Sequence, residues 1–142
     1  MIADCRGYNR KMEKLLYSDL SYRVRGCAFK VYNVLGFGHK ESIYQKALAL
    51  EFKKENIKFE REPSLQIIYQ DKKIGTYKPD FLVEDKVILE VKAVPVMPKT
   101  YETQLTYYLK STNFKLGFVI NFGSKKLDIR RRVWTTHYKN PR

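Results

Sequence analysis

The sequence predicts a single α/β domain in which a central mixed β-sheet is flanked by α-helices. Two stretches with apolar residues at helical spacing open the chain, and a middle segment rich in Ile, Val, Tyr and Phe is cut by turn formers. A third helical stretch then separates that segment from two further strands. At 142 residues, 44% hydrophobic and 14% aromatic, the chain is long enough to bury one core and too short to favour two domains.

Residues 1 to about 17 are polar and basic apart from Met12, Leu15, Leu16 and Tyr17, so a loose lead-in ending in a short helical turn is expected. From Ser21, "SYRVRGCAFKVYNVL" spaces Val24, Cys27, Ala28, Val31, Val34 and Leu35 three or four apart, which gives a helix one apolar face. The run Gly36-Phe37-Gly38 stops it. A second helix is expected from about Lys40 to Glu55, burying Ile43, Ala47, Leu48, Leu50 and Phe52, with Asn56 as its stop signal.

Beyond Asn56, the turn formers Pro63, Asp71, Gly75 and Glu84-Asp85 divide a β-rich segment into consecutive antiparallel strands. Pro95 and Pro98 end that run, and Tyr101, Leu105, Tyr108 and Leu109 share a face of a third helix. "FKLGFVINFG" reads as an apolar strand ending at Gly123, and "LDIRRRVW" as an edge strand. Residues 134–142 form a basic tail, and neither repeats nor an inter-domain linker interrupt the 1–142 domain.

The 28 Lys and Arg against 15 Asp and Glu give a formal charge of +13, spread along the chain. A polyanionic partner, most simply nucleic acid, is the leading inference; a basic protein that merely stays soluble, or one on an anionic membrane surface, are the alternatives that charge leaves open. Cys5 and Cys27 are widely spaced, without a CxxC pattern or a histidine cluster, so the reading is of reduced thiols in a cytoplasmic protein. No apolar run approaches the roughly 18 residues of a membrane span, and "DCRGYNRKMEK" lacks the core of a signal peptide.

The chemistry concentrates in "YKPDFLVEDKVILEVKAV", residues 77–94. Alternation along a strand places Glu90 and Lys92 on one face and Leu89, Val91 and Ala93 on the other. A three-residue turn at Glu84 to Lys86 pairs Val83 with Val87, Phe81 with Leu89, and Asp80 with Glu90. In that register Asp80, Glu90 and Lys92 share a face, and Phe81, Val83, Val87, Leu89 and Val91 form a wholly apolar opposite face. Two converging carboxylates repel unless a cation lies between them. Two readings fit: a site for a hard divalent cation, Mg²⁺ above all, with a lysine beside it for phosphodiester hydrolysis, or salt bridges at the solvent face of a half-exposed hairpin.

Pro79-Asp80, nine intervening residues, then Glu90-Val91-Lys92 resembles the PD-(D/E)XK nuclease signature. "GHKESIY", Gly38 to Tyr44, is similar to the GxxExxY motif of one bacterial and archaeal family in that superfamily, and "QLTYY", Gln104 to Tyr108, resembles the QxxxY element of RecB-like nucleases. The resemblance spans roughly Leu15 to Val133. It implies a restriction-endonuclease-like core and a Mg²⁺- or Mn²⁺-dependent phosphodiesterase. Asp80, Glu90 and Glu41 would be metal ligands with the Val91 carbonyl, Lys92 the catalytic lysine, and Tyr44, Gln104 and Tyr108 further members of the site. The family commonly has Asn where Tyr107 stands and Ala where Pro79 stands, and neither departure removes a ligand.

The Arg130-Arg131-Arg132 run, Trp134 and Lys99 are candidates for nucleic-acid contact, with His137-Tyr138-Lys139 extending the basic and aromatic surface. Equally, the arginine run reads as a solvated strand edge. The expected function is a nuclease acting on nucleic acid, with DNA favoured by superfamily analogy alone. The rival is a non-catalytic nucleic-acid-binding module or a scaffold subunit of a repair or defence complex. The small size points to a homodimer or a partner protein.

Overall fold

The computed structural model describes residues 16–135. The expected lead-in up to residue 15, Cys5 and the tail from residue 136, with His137, Tyr138 and Lys139, lie outside the described residues. In chain order the elements are α1 (Ser18–Leu35), α2 (Glu41–Lys54), β1 (Phe59–Arg61), β2 (Leu65–Tyr69), β3 (Lys72–Tyr77), β4 (Phe81–Val83), β5 (Val87–Lys92), α3 (Lys99–Thr112), β6 (Leu116–Asn121) and β7 (Asp128–Val133).

Five strands form a mixed sheet in the order β1-β4-β5-β6-β7, and β2 and β3 form a separate two-stranded sheet. Every neighbouring pair in the large sheet is antiparallel except β5 and β6, which α3 joins as a crossover. The hairpin β4–β5 has the predicted register, Phe81 opposite Leu89 and Val83 opposite Val87. Its turn is closed by the Lys86 N–H on the Val83 carbonyl (3.0 Å), with Glu84 and Asp85 both at positive φ, the twist that a tight hairpin favours. The strand β7 is an edge strand, as expected.

Alternation gives the sheet two apolar faces. Phe81, Val83, Val87, Leu89 and Val91 pack under α1 and α2, on Val24, Leu48 and Phe52. Leu82, Ile88 and Val119 pack under α3, on Leu105 and Leu109. Truncating Leu105, which is 1% exposed, to Ala would cost about 2–5 kcal/mol.

Four sequence expectations change. Val34 is 83% exposed, so the buried stripe of α1 ends at Val31, with Leu35 half-buried. In α2, Ile43 and Leu50 are exposed and Tyr44 and Ala49 are buried instead. Tyr44, Leu48 and Phe52 recur every fourth residue, and at about 100° per residue that stripe turns Ile43 and Leu50 outward. The middle strands do not pair consecutively: β1 joins β4, whereas β2 and β3 pair with each other and lay Leu65 and Ile67 against the α3 side. Gly75 lies within β3 opposite Ile67, and the turn is made by Gln70 and Asp71, both at positive φ.

The exits of β5 and β6 cross closely. A Cβ on Gly123 would lie 2.3 Å from the Val94 nitrogen, so no other residue fits there without displacement. The buried Asn121 side chain accepts from the N–H groups of Val94 and Gly123 (both 3.0 Å) and donates to the Val94 carbonyl (2.9 Å). With Phe122 N–H on the Lys92 carbonyl (2.9 Å), this fixes the backbone where β5 ends. No helix among the described residues is long and apolar enough to cross a membrane.

Candidate active site

Asp80 directly precedes β4, and Glu90 and Lys92 lie two apart on β5, so the hairpin register brings all three to the face covered by α3. Asp80 Oδ2 accepts the Val91 backbone N–H at 2.6 Å. Glu90 Oε1 accepts the Tyr77 hydroxyl at 2.9 Å. The Tyr77 ring is stacked on Tyr108, 3.8 Å between centroids and 1° from parallel. Lys92 Nζ stands 4.8 Å from the centre of the Tyr101 ring, a cation–π contact. One oxygen of each carboxylate is therefore held by a fixed internal donor, and among the described residues neither acid forms an ion pair within 4.0 Å of Lys92.

Burial first, and then the neighbouring charge of Asp80, push the Glu90 carboxyl up to about 7; Tyr77 and Lys92 oppose that shift. Burial also raises Asp80, against the Val91 N–H and Lys92. Glu41, the first residue of α2, is raised by burial and then by the charge of Asp80, and Lys92 lowers it. Burial beside Glu90 raises Tyr77, which keeps its hydroxyl protonated as a donor. Asp80 is thus the acidic neighbour of both Glu41 and Glu90, Lys92 acts on all three, and Glu62 and Arg61 act on Asp80 as well.

The other predicted residues divide. Tyr44 does not face the carboxylates: it is buried in the α1/α2 core, stacked on Phe122 at 4.7 Å. Its hydroxyl donates to the Gly36 carbonyl (2.6 Å) and accepts the His39 N–H (3.2 Å), pinning the loop that delivers Glu41. Tyr108 reaches the site through Tyr77. Gln104 is exposed and lines a shallow groove with Lys99, Thr100, Thr103 and Tyr107.

The arginine run is not a free basic surface. Arg130 donates to Asp128 (2.9 Å), Glu102 (3.0 Å) and the Met97 carbonyl (3.0 Å), and Arg132 pairs with Glu102 at 3.2 Å. These contacts clamp β7 to α3. Arg131 lies half-buried on the opposite face of β7, and Trp134 packs beside the α3 core with Lys110 Nζ 5.2 Å from its ring centre. Nor is the β4–β5 hairpin half-exposed, because helices cover both of its faces.

Sequence reasoning missed Tyr77, Tyr101 and Asn121. The only signal for Tyr77 was its place three residues before Asp80. Tyr101 and Asn121 matter through packing between α3, β5 and β6, which no local pattern encodes.

Among the described residues no three His, Cys, Asp or Glu groups converge closely enough to form a metal cage, so Asp80, Glu90 and Glu41 are not assembled as a ready three-carboxylate site. Mg²⁺ asks for less, since one or two carboxylates with several waters usually hold it. Asp80 and Glu90, two hard oxygen donors oriented by Val91 N–H and Tyr77 and both raised chiefly by burial, fit that demand.

Comparison with known proteins agrees with this fold. A family model described as the PD-(D/E)XK nuclease superfamily matches residues 18–132. The crystal structure of SSO0001 matches with a TM-score of 0.50 at 17% identity, covering 66% of this chain, a likeness of fold alone. The match spans 50% of that protein's length. No curated protein matches.

Proposed function

Because the chain belongs to the PD-(D/E)XK nuclease superfamily, we propose that it hydrolyses nucleic-acid phosphodiester bonds, those of DNA in particular, with Mg²⁺ or Mn²⁺ as cofactor. The supporting observation is the meeting of Asp80, Glu90 and Lys92 on one covered sheet face, with both acids shifted upward and each tethered through one oxygen. Within the superfamily, "GHKESIY" and "QLTYY" favour the GxxExxY group with a RecB-like QxxxY element.

Asp80, Glu90 and the Val91 carbonyl would hold the cation, with Glu41 close enough to add its charge. When bound, the cation neutralises phosphate charge and makes water easier to deprotonate. Lys92, held over Tyr101, orients the attacking water and stabilises the charge that develops on the phosphate. Tyr77 fixes the Glu90 carboxylate, and Tyr108 fixes Tyr77. Gln104 and Lys99, on the exposed groove of α3, contact the substrate backbone. Residues 1–142 act as one domain, and a second copy or a partner protein completes substrate selection.

The test is cleavage of linear, circular, branched and single-stranded DNA and of RNA, in Mg²⁺ or Mn²⁺ against EDTA, with Lys92→Ala in parallel. Metal-dependent cutting that the variant loses is the expected result. Binding without cutting on every substrate, unchanged in the variant, would replace the nuclease with a binding module.

A further inference from the structure

The hairpin β2–β3 stands outside the central sheet. Its base is anchored, with Leu65, Ile67 and Tyr77 packed in the core beneath α3. Its tip is not: all seven residues from Ile68 to Ile74 are exposed. Ile68 is 44%, Tyr69 60% and Ile74 65% exposed, whereas a turn that only reverses the chain is built from small polar residues. Three large apolar side chains on one short tip are a cluster, and such exposure marks a contact surface.

The register shows what that surface suits. An irregularity between Ile67 and Ile68 shifts the pairing, so that Tyr69 stands opposite Lys72 and Ile68 opposite Lys73. Two of the three apolar side chains, Ile68 and Tyr69, therefore have an ammonium as cross-strand neighbour, Ile74 is left unpaired by the shift, and Asp71 is the single acid of the tip. Aromatic and cationic groups side by side match the bases and phosphates of an unpaired strand. A second copy of the chain is a poor occupant, because it would set lysine against lysine in a protein of formal charge +13.

The finger also starts at the site. Along β2, Tyr69 shares a face with Leu65 and Ile67, and Leu65 is paired with Tyr77, the residue that holds Glu90. Four strand residues at about 3.4 Å each put Tyr69 roughly 14 Å from that pair, about four nucleotide steps.

We propose that the β2–β3 hairpin is a nucleic-acid finger in which Tyr69 stacks on an unpaired base while Lys72 and Lys73 hold the adjoining phosphates. It would direct the protein to substrates with a single-stranded stretch beside the cut. The proposal rests on the nuclease reading and names its substrate class.

The experiment measures binding of the full chain, in EDTA, to a labelled single strand and to the blunt duplex of the same sequence across a salt series. Tyr69→Ala should weaken single-strand binding about tenfold or more with the salt slope unchanged, and Tyr69→Trp should restore it. Lys72→Ala with Lys73→Ala should flatten the slope by about 1.4. Both sets should melt like the parent, since the side chains are exposed. Single-strand affinity unchanged in Tyr69→Ala overturns the finger, and so does a dimer that dissociates in that variant. Cleavage by the parent, lost in Lys92→Ala, shows separately whether the nuclease reading stands; a parent that binds no nucleic acid sinks both.

Discussion

Two clusters of charge lie on the same face of the central sheet and are built in opposite ways. Glu90 on β5 and Arg130 on β7 occupy one row, each paired with Val119 of β6, about 10 Å apart across two strand spacings. In the β7 cluster the charges are matched: Glu102 takes Arg130 and Arg132, and Asp128 takes Arg130. In the β5 cluster Asp80 and Glu90 stand beside one lysine, with Glu41 of α2 within reach of the charges of Asp80 and Lys92, and burial first holds all three carboxyls above the usual range. Completed pairing serves the fold. Unfinished pairing leaves charge for a ligand to complete, which is why perturbed groups gather at working sites.

That contrast breaks most visibly in stability. Glu102→Ala removes the carboxylate that pairs with both Arg130 and Arg132, the latter a side chain only 9% exposed. Removing one partner of a buried pair costs about 3–5 kcal/mol, which a urea midpoint would register. Asp80→Asn and Glu90→Gln should instead leave the metal-free protein as stable or more so, because each removes a repelled carboxylate. Equal losses in both clusters would end the distinction between clamp and site.

Activity should separate the clusters next. Asp80→Asn or Lys92→Ala should lower the single-turnover cleavage rate at least about 100-fold, equivalent to about 2.7 kcal/mol. Arg130→Lys should leave the rate per folded molecule near that of the parent. A large rate loss in Arg130→Lys at full folding would return the arginine run to the substrate surface.

A smaller effect probes the tether. Tyr77→Phe keeps the ring on Tyr108 and deletes the hydroxyl that reaches Glu90 at 2.9 Å. Loss of such an orienting partner typically costs about 10–100-fold in metal affinity. Calorimetric titration with Mn²⁺ reads it directly, and unchanged affinity would reduce the Tyr77–Tyr108 stack to packing.

The same contrast explains what the sequence made legible. Asp80, Glu90 and Lys92 could be placed because period-2 alternation and a short turn fix a hairpin register locally, and the structure has that register. The ion pairs of Arg130 and Arg132 were not legible, because their partner Glu102 lies 28 residues from Arg130 on another element, beyond the reach of pattern. Tyr44 was read by its motif, yet the stripe it shares with Leu48 and Phe52 turns it into the core. The separate β2–β3 sheet was missed because strand propensity says which residues extend, and packing on α3 decides what they pair with.

The last expected effect is in the pH dependence of stability, and it has a sign. An unfolded Glu90 releases its proton near 4.5 and the folded one near 7, so between those values the native state binds more protons. The favourable contribution is fully present below about 4.5 and is lost as pH rises through about 7, where Glu90 must ionise beside Asp80. Metal-free protein should therefore lose about 3 kcal/mol across that window beyond whatever Glu90→Gln loses. The clamp supplies the control: its guanidiniums stay charged throughout this range, so Arg130→Lys should keep the parent's slope. Saturating Mg²⁺ should reverse the slope, since the cation binds the ionised pair and its stabilisation grows as protons leave. Chemical denaturation at half-unit pH steps, with and without the metal, decides the matter: a Glu90→Gln protein that tracks the parent would mean the crowding of carboxylates on β5 costs the fold nothing.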